Sequence, residues 1–164
     1  MANTNSVTSL KRAMDFERDG RNFYSKAIEK TSSDMARSIF EMLMRQEESH
    51  LTYLAQLYDV MQATDSWPSE VTVNIEADFK MLFQEALKTI DTSIRVSTDE
   101  IQALEFAMNM ELKGMEMYLE LSGKATDPNE KELYSNLAVW EKGHAEFCED
   151  YLNFFQDTGM RTEE

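Results

Sequence analysis

Cysteine is almost missing from this 164-residue chain. Cys148 stands alone, which excludes a disulfide framework and any cysteine-rich zinc or iron–sulfur site built within one chain. Proline and glycine are also rare, with two and five copies, while Glu, Met, Leu, Ala and Lys are plentiful; this composition reads as mostly helical. No run approaches the ~18 uninterrupted apolar residues of a membrane span. The polar start Met1-Ala2-Asn3-Thr4-Asn5-Ser6 lacks the apolar stretch of a signal peptide. A soluble, cytoplasmic chain is expected, its residues 1–164 forming one domain with a sizeable core. Positive charge is short as well. The formal net charge of −15 argues against nucleic-acid backbones and anionic membranes as partners. It is compatible with attracting cations, though the plainer reading is a solvated acidic surface.

Histidine occurs twice, and both copies lie three residues after a glutamate: Glu47-Glu48-Ser49-His50 and Glu141-Lys142-Gly143-His144. On a helix that spacing places Glu and His on one face. One Glu-x-x-His arises easily by chance; two that use every histidine do not.

Apolar periodicity supplies the helices. The first is expected over about 7–30, with Leu10, Ala13, Glu17, Gly20, Tyr24 and Ala27 as its inward seam. Thr31-Ser32-Ser33-Asp34 turns the chain and offers a cap. The second, about 34–62, carries Ala36, Phe40, Leu43, Glu47, His50, Leu54, Leu57 and Met61. Asp65-Ser66-Trp67-Pro68-Ser69 breaks the pattern. A long crossover follows, about 64–97, holding a short amphipathic helix that Asn74 can cap and that runs through Phe79, Leu82, Phe83, Ala86, Leu87 and Ile90. A connection this long means that the helices it joins are not simple hairpin neighbours.

Ser97-Thr98-Asp99-Glu100 is a capping box for the third long helix, about 98–123, whose seam is Leu104, Ala107, Glu111, Gly114, Tyr118 and Leu121. Asp127-Pro128-Asn129-Glu130 opens the fourth, about 128–156, through Tyr134, Leu137, Glu141, His144, Cys148, Tyr151 and Phe155. The tail from about Thr158 is expected to fray. The fold class is all-α: an antiparallel four-helix bundle with a long crossover.

The two halves repeat. A shift of 94 residues, without a gap, takes Leu10 to Leu104, Ala13 to Ala107, Glu17 to Glu111, Gly20 to Gly114 and Tyr24 to Tyr118. It also takes Leu43 to Leu137, Glu47 to Glu141 and His50 to His144.

Glu17, Glu47, Glu111 and Glu141 therefore fall in the bundle interior. An unpaired buried carboxylate costs several kcal/mol or shifts its pKa until it neutralises. Lys and Arg are missing from the seams. Two divalent cations would balance four carboxylates, with neutral imidazoles completing the ligands. Oxygen-rich sites with one imidazole per metal suit iron or manganese, whereas structural zinc usually recruits thiolates or more histidine. A glutamate from each of two helices plus Glu-x-x-His from each of the other two is the ferritin-like di-iron arrangement.

The chain resembles the ferritin-like superfamily and, within it, the rubrerythrin-type di-iron domain, from about Leu10 to Phe155. The residues that carry the resemblance are Glu17-x-x-Gly20-x-x-Phe23-Tyr24 and Glu111-x-x-Gly114-x-x-Met117-Tyr118, each followed by its Glu-x-x-His. The resemblance implies two iron ions, with manganese or a mixed pair as the alternative. Glu47 and Glu141 would bridge them, Glu17 and Glu111 would be terminal ligands, and His50 and His144 would each bind one metal. Two features depart from the pattern. Rubrerythrins proper append a rubredoxin domain with paired Cys-x-x-Cys motifs, and a single cysteine cannot supply one. They also tend to carry a further glutamate where this chain has Gly114.

Rubrerythrin-like peroxide reduction is the activity implied first, with electrons from an external donor such as a rubredoxin-like protein. Ferroxidase activity is second, oxygen-dependent hydroxylation third, and a non-enzymatic iron-binding or storage role stands in a different class. The oxidant is hydrogen peroxide or dioxygen. A homo-oligomer, for example a dimer, is expected.

Tyr24 and Tyr118 lie two turns beyond their own glutamates, roughly 10 Å along the axis. They either hydrogen-bond metal ligands on a neighbouring helix or are plain core tyrosines. Gly20 and Gly114 permit close helix approach or leave room for a small oxidant. The twelve methionines read as core filler, Cys148 as buried rather than nucleophilic, and Trp140 as a packing residue rather than an electron carrier.

Overall fold

The computed structural model describes residues 4–70 and 79–161. Its helices are α1 (Thr4–Lys30), α2 (Asp34–Thr64), α3 (Phe79–Leu87), α4 (Thr98–Lys124) and α5 (Pro128–Asp157). The local chemistry at each boundary explains where it falls. Ser33 caps α2 by accepting from the Ala36 N–H, and α2 stops where Asp65 turns left-handed and donates its N–H to the Met61 carbonyl. Ser97 and Glu100 close the reciprocal capping box of α4. Asp127 accepts from the Asn129 and Glu130 N–H groups while Pro128 opens α5. The proposed cap at Asn74 lies outside the described residues.

α1 packs along α2 and α4 along α5. Between these hairpins, α1 and α4 run antiparallel: Arg12 pairs with Glu120 at one end, and the Phe23 and Phe106 rings meet at 4.8 Å at the other. Glu100 adds a tie that the sequence shows only in part. Its Oε2 accepts from the Ser97 N–H, while its Oε1 accepts from the N–H groups of Ser32 and Ser33 at 2.9 and 2.8 Å. One buried carboxylate thus pins the α1–α2 turn to the start of α4.

Every residue of the four expected seams is buried, which follows from the alternating three- and four-residue steps. The apolar core divides in two. One cluster holds Tyr24, Phe40, Leu43, Leu104, Phe147 and Phe155; the other holds Leu10, Leu54, Leu57, Leu133, Tyr134 and Leu137. The four glutamates and two histidines are buried as well. α3 buries no residue completely and packs on α5, with Phe79 against His144 and Phe83 against Tyr151 and Phe154.

The expected fraying from Thr158 is corrected for residues 158–161. Gly159, at φ 65°, reverses the chain. Met160 is fully buried, and its carbonyl accepts the Val96 N–H at 2.8 Å. Burial of one large side chain plus a backbone bond outweighs the freedom of a chain end. Among the described residues, no helix is long and apolar enough to cross a membrane.

Candidate metal centre

Each long helix delivers its ligand-type residues from the middle of its inward face. α1 contributes Glu17, α2 Glu47 and His50, α4 Glu111, and α5 Glu141 with His144. The four carboxylates and His144 have no solvent exposure, and His50 has 2 %. They fall into two overlapping groups, Glu17-Glu47-His50-Glu141 and Glu47-Glu111-Glu141-His144, and within each group one ligand atom per residue lies within 4.8 Å of the others. Glu47 and Glu141 belong to both.

Both imidazoles turn Nδ1 toward carboxylates. His50 Nδ1 lies 3.2 Å from Glu17 Oε2 and 3.7 Å from Glu141 Oε1. His144 Nδ1 lies 3.4 Å from Glu111 Oε2 and 3.3 Å from Glu47 Oε1. Each histidine therefore faces the outer glutamate of its own half and the shared glutamate of the other half. The rings are nearly parallel, 10° apart with centroids at 5.6 Å.

The tyrosines cross between halves. Tyr118 donates its phenol to Glu17 Oε1, and Tyr24 donates to Glu111 Oε1. Each outer carboxylate thus has one oxygen held by a tyrosine and the other beside its histidine. Burial first, and then the neighbouring glutamate charges, push both phenols well above the ordinary tyrosine range. They stay protonated and serve as donors.

The shared glutamates are different. Among the described residues, none donates a hydrogen bond to either oxygen of Glu47 or Glu141. Burial raises the pKa of both, and the neighbouring carboxylates raise it further: Glu17 and Glu111 act on Glu47, while Glu47, Glu111 and Glu17 act on Glu141. Burial also works to raise Glu111, but the Glu141 carboxyl, the His144 ring and the Tyr24 phenol beside it outweigh burial and hold the group down at about 2. Four acceptor oxygens without a donor, and no buried Lys or Arg among the described residues, are a costly arrangement for protein atoms alone. Divalent cations fit this donor set: hard oxygens, one imidazole per cluster and no thiolate.

Other expectations meet a more specific geometry. Gly20 and Gly114 each lie against side chains of neighbouring helices. A Cβ on Gly20 would stand 2.6 Å from Glu47 Oε2, and one on Gly114 would stand 2.4 Å from the Phe16 ring and 3.1 Å from Glu141 Oε2. Trp140 is half-buried and stacks on His50 with centroids 4.4 Å apart. Cys148 is buried, and burial pushes its thiol well up, which makes it a poor nucleophile. Phe16 and Phe79 are neighbours of the site that the periodicity does not single out. For Phe16 the signal was there, a bulky apolar residue before each outer glutamate (Phe16 and Met110). For Phe79, on the crossover, none was.

Four long helices that converge carboxylates and imidazoles on one buried layer define a ferritin-like bundle with a candidate di-iron centre. A family model described as a ferritin-like domain matches residues 5–154, and the chain belongs to that family. No curated protein matches it. A solved structure of a hypothetical protein from Pyrococcus furiosus superposes with a TM-score of 0.65 over 96% of this chain and 94% of that one. At 23% sequence identity, that likeness shows the fold.

Proposed function

We propose that this protein is a non-haem di-iron oxidoreductase that reacts with hydrogen peroxide or dioxygen, with rubrerythrin-like peroxide reduction as the first reading. The observation that carries it is the pair Glu47 and Glu141, common to both clusters and unsatisfied by any hydrogen bond. In this reading Glu47 and Glu141 would be shared by two metals, Glu17 with His50 would hold one, and Glu111 with His144 would hold the other. Iron suits the donor set, and manganese or a mixed pair suits it as well. When bound, such a metal pair supplies two electrons together to the oxidant.

The chain's own residues do the rest. Tyr118 and Tyr24 keep Glu17 and Glu111 oriented, as hydrogen-bonded partners of metal ligands generally do. The apolar clusters on either side exclude water, which strengthens every charge interaction inside. In this reading electrons would come from a separate donor such as a rubredoxin-like protein.

A dioxygen-dependent ferroxidase is the second reading, favoured by one observation. Position 114 offers no carboxylate, and the Phe16 ring takes the adjoining space. Anaerobic iron loading followed by mixing with peroxide or dioxygen separates the two. Faster oxidation by peroxide supports the first reading, and faster oxidation by dioxygen replaces it with the second. A cytoplasmic homo-oligomer belongs to the proposal. Light scattering distinguishes a small assembly from the closed shell that storage requires.

A further inference from the structure

The halves differ where α1 and α4 face each other across the centre. Gly20 and Gly114 are repeat equivalents, and each backs onto a shared glutamate. A Cβ on Gly20 would have Glu47 atoms as its three nearest neighbours, at 2.6, 3.3 and 3.5 Å. A Cβ on Gly114 would instead meet Phe16 Cζ and Cε1 at 2.4 and 2.6 Å, ahead of Glu141 Oε2 at 3.1 Å. The repeat equivalent of Phe16 is Met110, and it comes no closer than 3.5 Å to the Gly20 position. The Phe16 ring also sets its edge against Tyr118, with centroids 6.1 Å apart and planes at 81°. It is therefore seated beside the unsatisfied Glu141 carboxylate and beside the tyrosine that holds Glu17.

We propose that Phe16 is a selectivity residue of the centre: its ring, filling the space that Gly114 leaves, closes the Glu141 side of the α1–α4 face to small anionic or diatomic ligands, whereas beneath Gly20 the nearest atoms are those of Glu47 itself. The inference rests on the two-metal reading of the site. Its physical basis is desolvation. A hydrocarbon ring edge next to a carboxylate offers an incoming anion or water no hydrogen bond and no room. The residue equivalent to Phe16 in the other half, Met110, has three rotatable bonds and yields more readily than a ring. The same seating explains why position 114 is glycine. Any side chain there must displace the ring or push into Glu141, whereas at Gly20 it meets a carboxylate alone.

Azide is the probe, followed by its charge-transfer absorption on iron(III)-loaded protein, with metal content measured on every sample. The native chain is expected to take one azide per two metals. Phe16→Ala is expected to admit a second azide, or to tighten binding at least about tenfold by removing a steric exclusion, with both metals retained. Phe16→Met, which makes the two halves alike, is expected to lie between the native chain and Phe16→Ala. Met110→Ala is expected to change azide affinity less than about twofold. Unchanged azide stoichiometry and affinity in both Phe16 variants with two metals bound overturns the assignment, as does an equal response to Met110→Ala.

A second comparison needs no metal. Gly114→Ala should lower the melting temperature of the native chain by several degrees through overpacking, and should lower it much less alongside Phe16→Ala. An equal loss in both backgrounds means that the ring does not fill that space. A chain that binds no metal overturns the centre itself, and elemental analysis separates that outcome from failure of the Phe16 assignment.

Discussion

The α1–α2 and α4–α5 hairpins carry the same ligand frame in different surroundings. Glutamate, glycine, tyrosine, glutamate and histidine recur at one spacing, and each tyrosine reaches across to the other hairpin's outer glutamate. Around that frame the likeness stops. His50 stacks on Trp140, whereas His144 meets the edge of Phe79 from the crossover helix. Phe16 fills the space beside Gly114, whereas the nearest atoms at Gly20 are those of Glu47. On the outer surface Leu112, Leu119 and Val139 are exposed, where the first half has Arg18, Ser25 and Arg45. The difference teaches which positions are mutually constrained. The ligand-type residues and the tyrosines each touch a partner in the other half, so none can change without disturbing both. The flanking residues answer only to local packing.

The most direct way to break the likeness is to remove a shared glutamate. Glu47→Ala and Glu141→Ala should each reduce metal content from about two ions per chain to well below one, as expected when a ligand common to both metals of a dinuclear site is lost. Glu48→Ala, on the exposed side of α2, should leave it unchanged. A full complement in Glu141→Ala by elemental analysis would show that the site is wrongly placed.

Next in size is pH. Glu47 and Glu141 have folded pKa values raised above their unfolded ones. Without metal, the stability they confer is fully present below the unfolded value and is lost as pH rises through the raised values, at up to ~1.4 kcal/mol per pH unit for each group. Glu111, held at about 2, works in the opposite sense: its contribution is present above the unfolded carboxylate value and is lost as pH falls from there toward 2. Urea unfolding of chelator-treated protein should therefore show stability falling as pH rises from 5 to 8, and Glu47→Gln should flatten the slope. Metal must displace the same protons, so titration calorimetry in buffers of different ionisation enthalpy should detect proton release on loading. Stability that climbs over that range, or loading without proton release, contradicts the titration scheme.

Tyr24→Phe and Tyr118→Phe sharpen the comparison, because each removes one cross-half hydrogen bond and little volume. Each should weaken metal binding by about 10–100-fold, measured by competition with a chelator. Unequal losses would locate the metal that depends more on its neighbouring half, and no loss in either variant would make both of them plain core tyrosines.

The smallest effect separates glycines by position. Among the described residues nothing lies within 4 Å of a Cβ on Gly123, so Gly123→Ala should raise stability by about 0.5 kcal/mol through helix propensity alone. Gly20→Ala should instead lower metal affinity by pressing on Glu47. Equal thermal shifts in the two variants would remove the distinction.

Much of this was legible in the chain. Three- and four-residue periodicity marked the inward face of each long helix, and the capping signals in Thr31–Asp34, Ser97–Glu100 and Asp127–Glu130 marked three starts. The shift relating the halves, with four glutamates and both histidines on inward faces, pointed to a two-metal site. The order of the tail at residues 158–161 is not legible in the chain because Met160 is held by Val96, far away in sequence. Glu100 revealed only its local capping role, since the Ser32 and Ser33 donors lie in another turn.

What the sequence by itself determined is the identity of the buried polar residues and the helix face each occupies, because both follow from spacing within a single helix. Only the tertiary structure decided which residues meet: Tyr118 with Glu17 and Tyr24 with Glu111, Phe16 over Gly114, Trp140 on His50, Phe79 on His144. Those pairings depend on how far each helix is rotated and slid against its neighbours. Packing of the whole core sets these quantities, and no periodicity within one helix contains them.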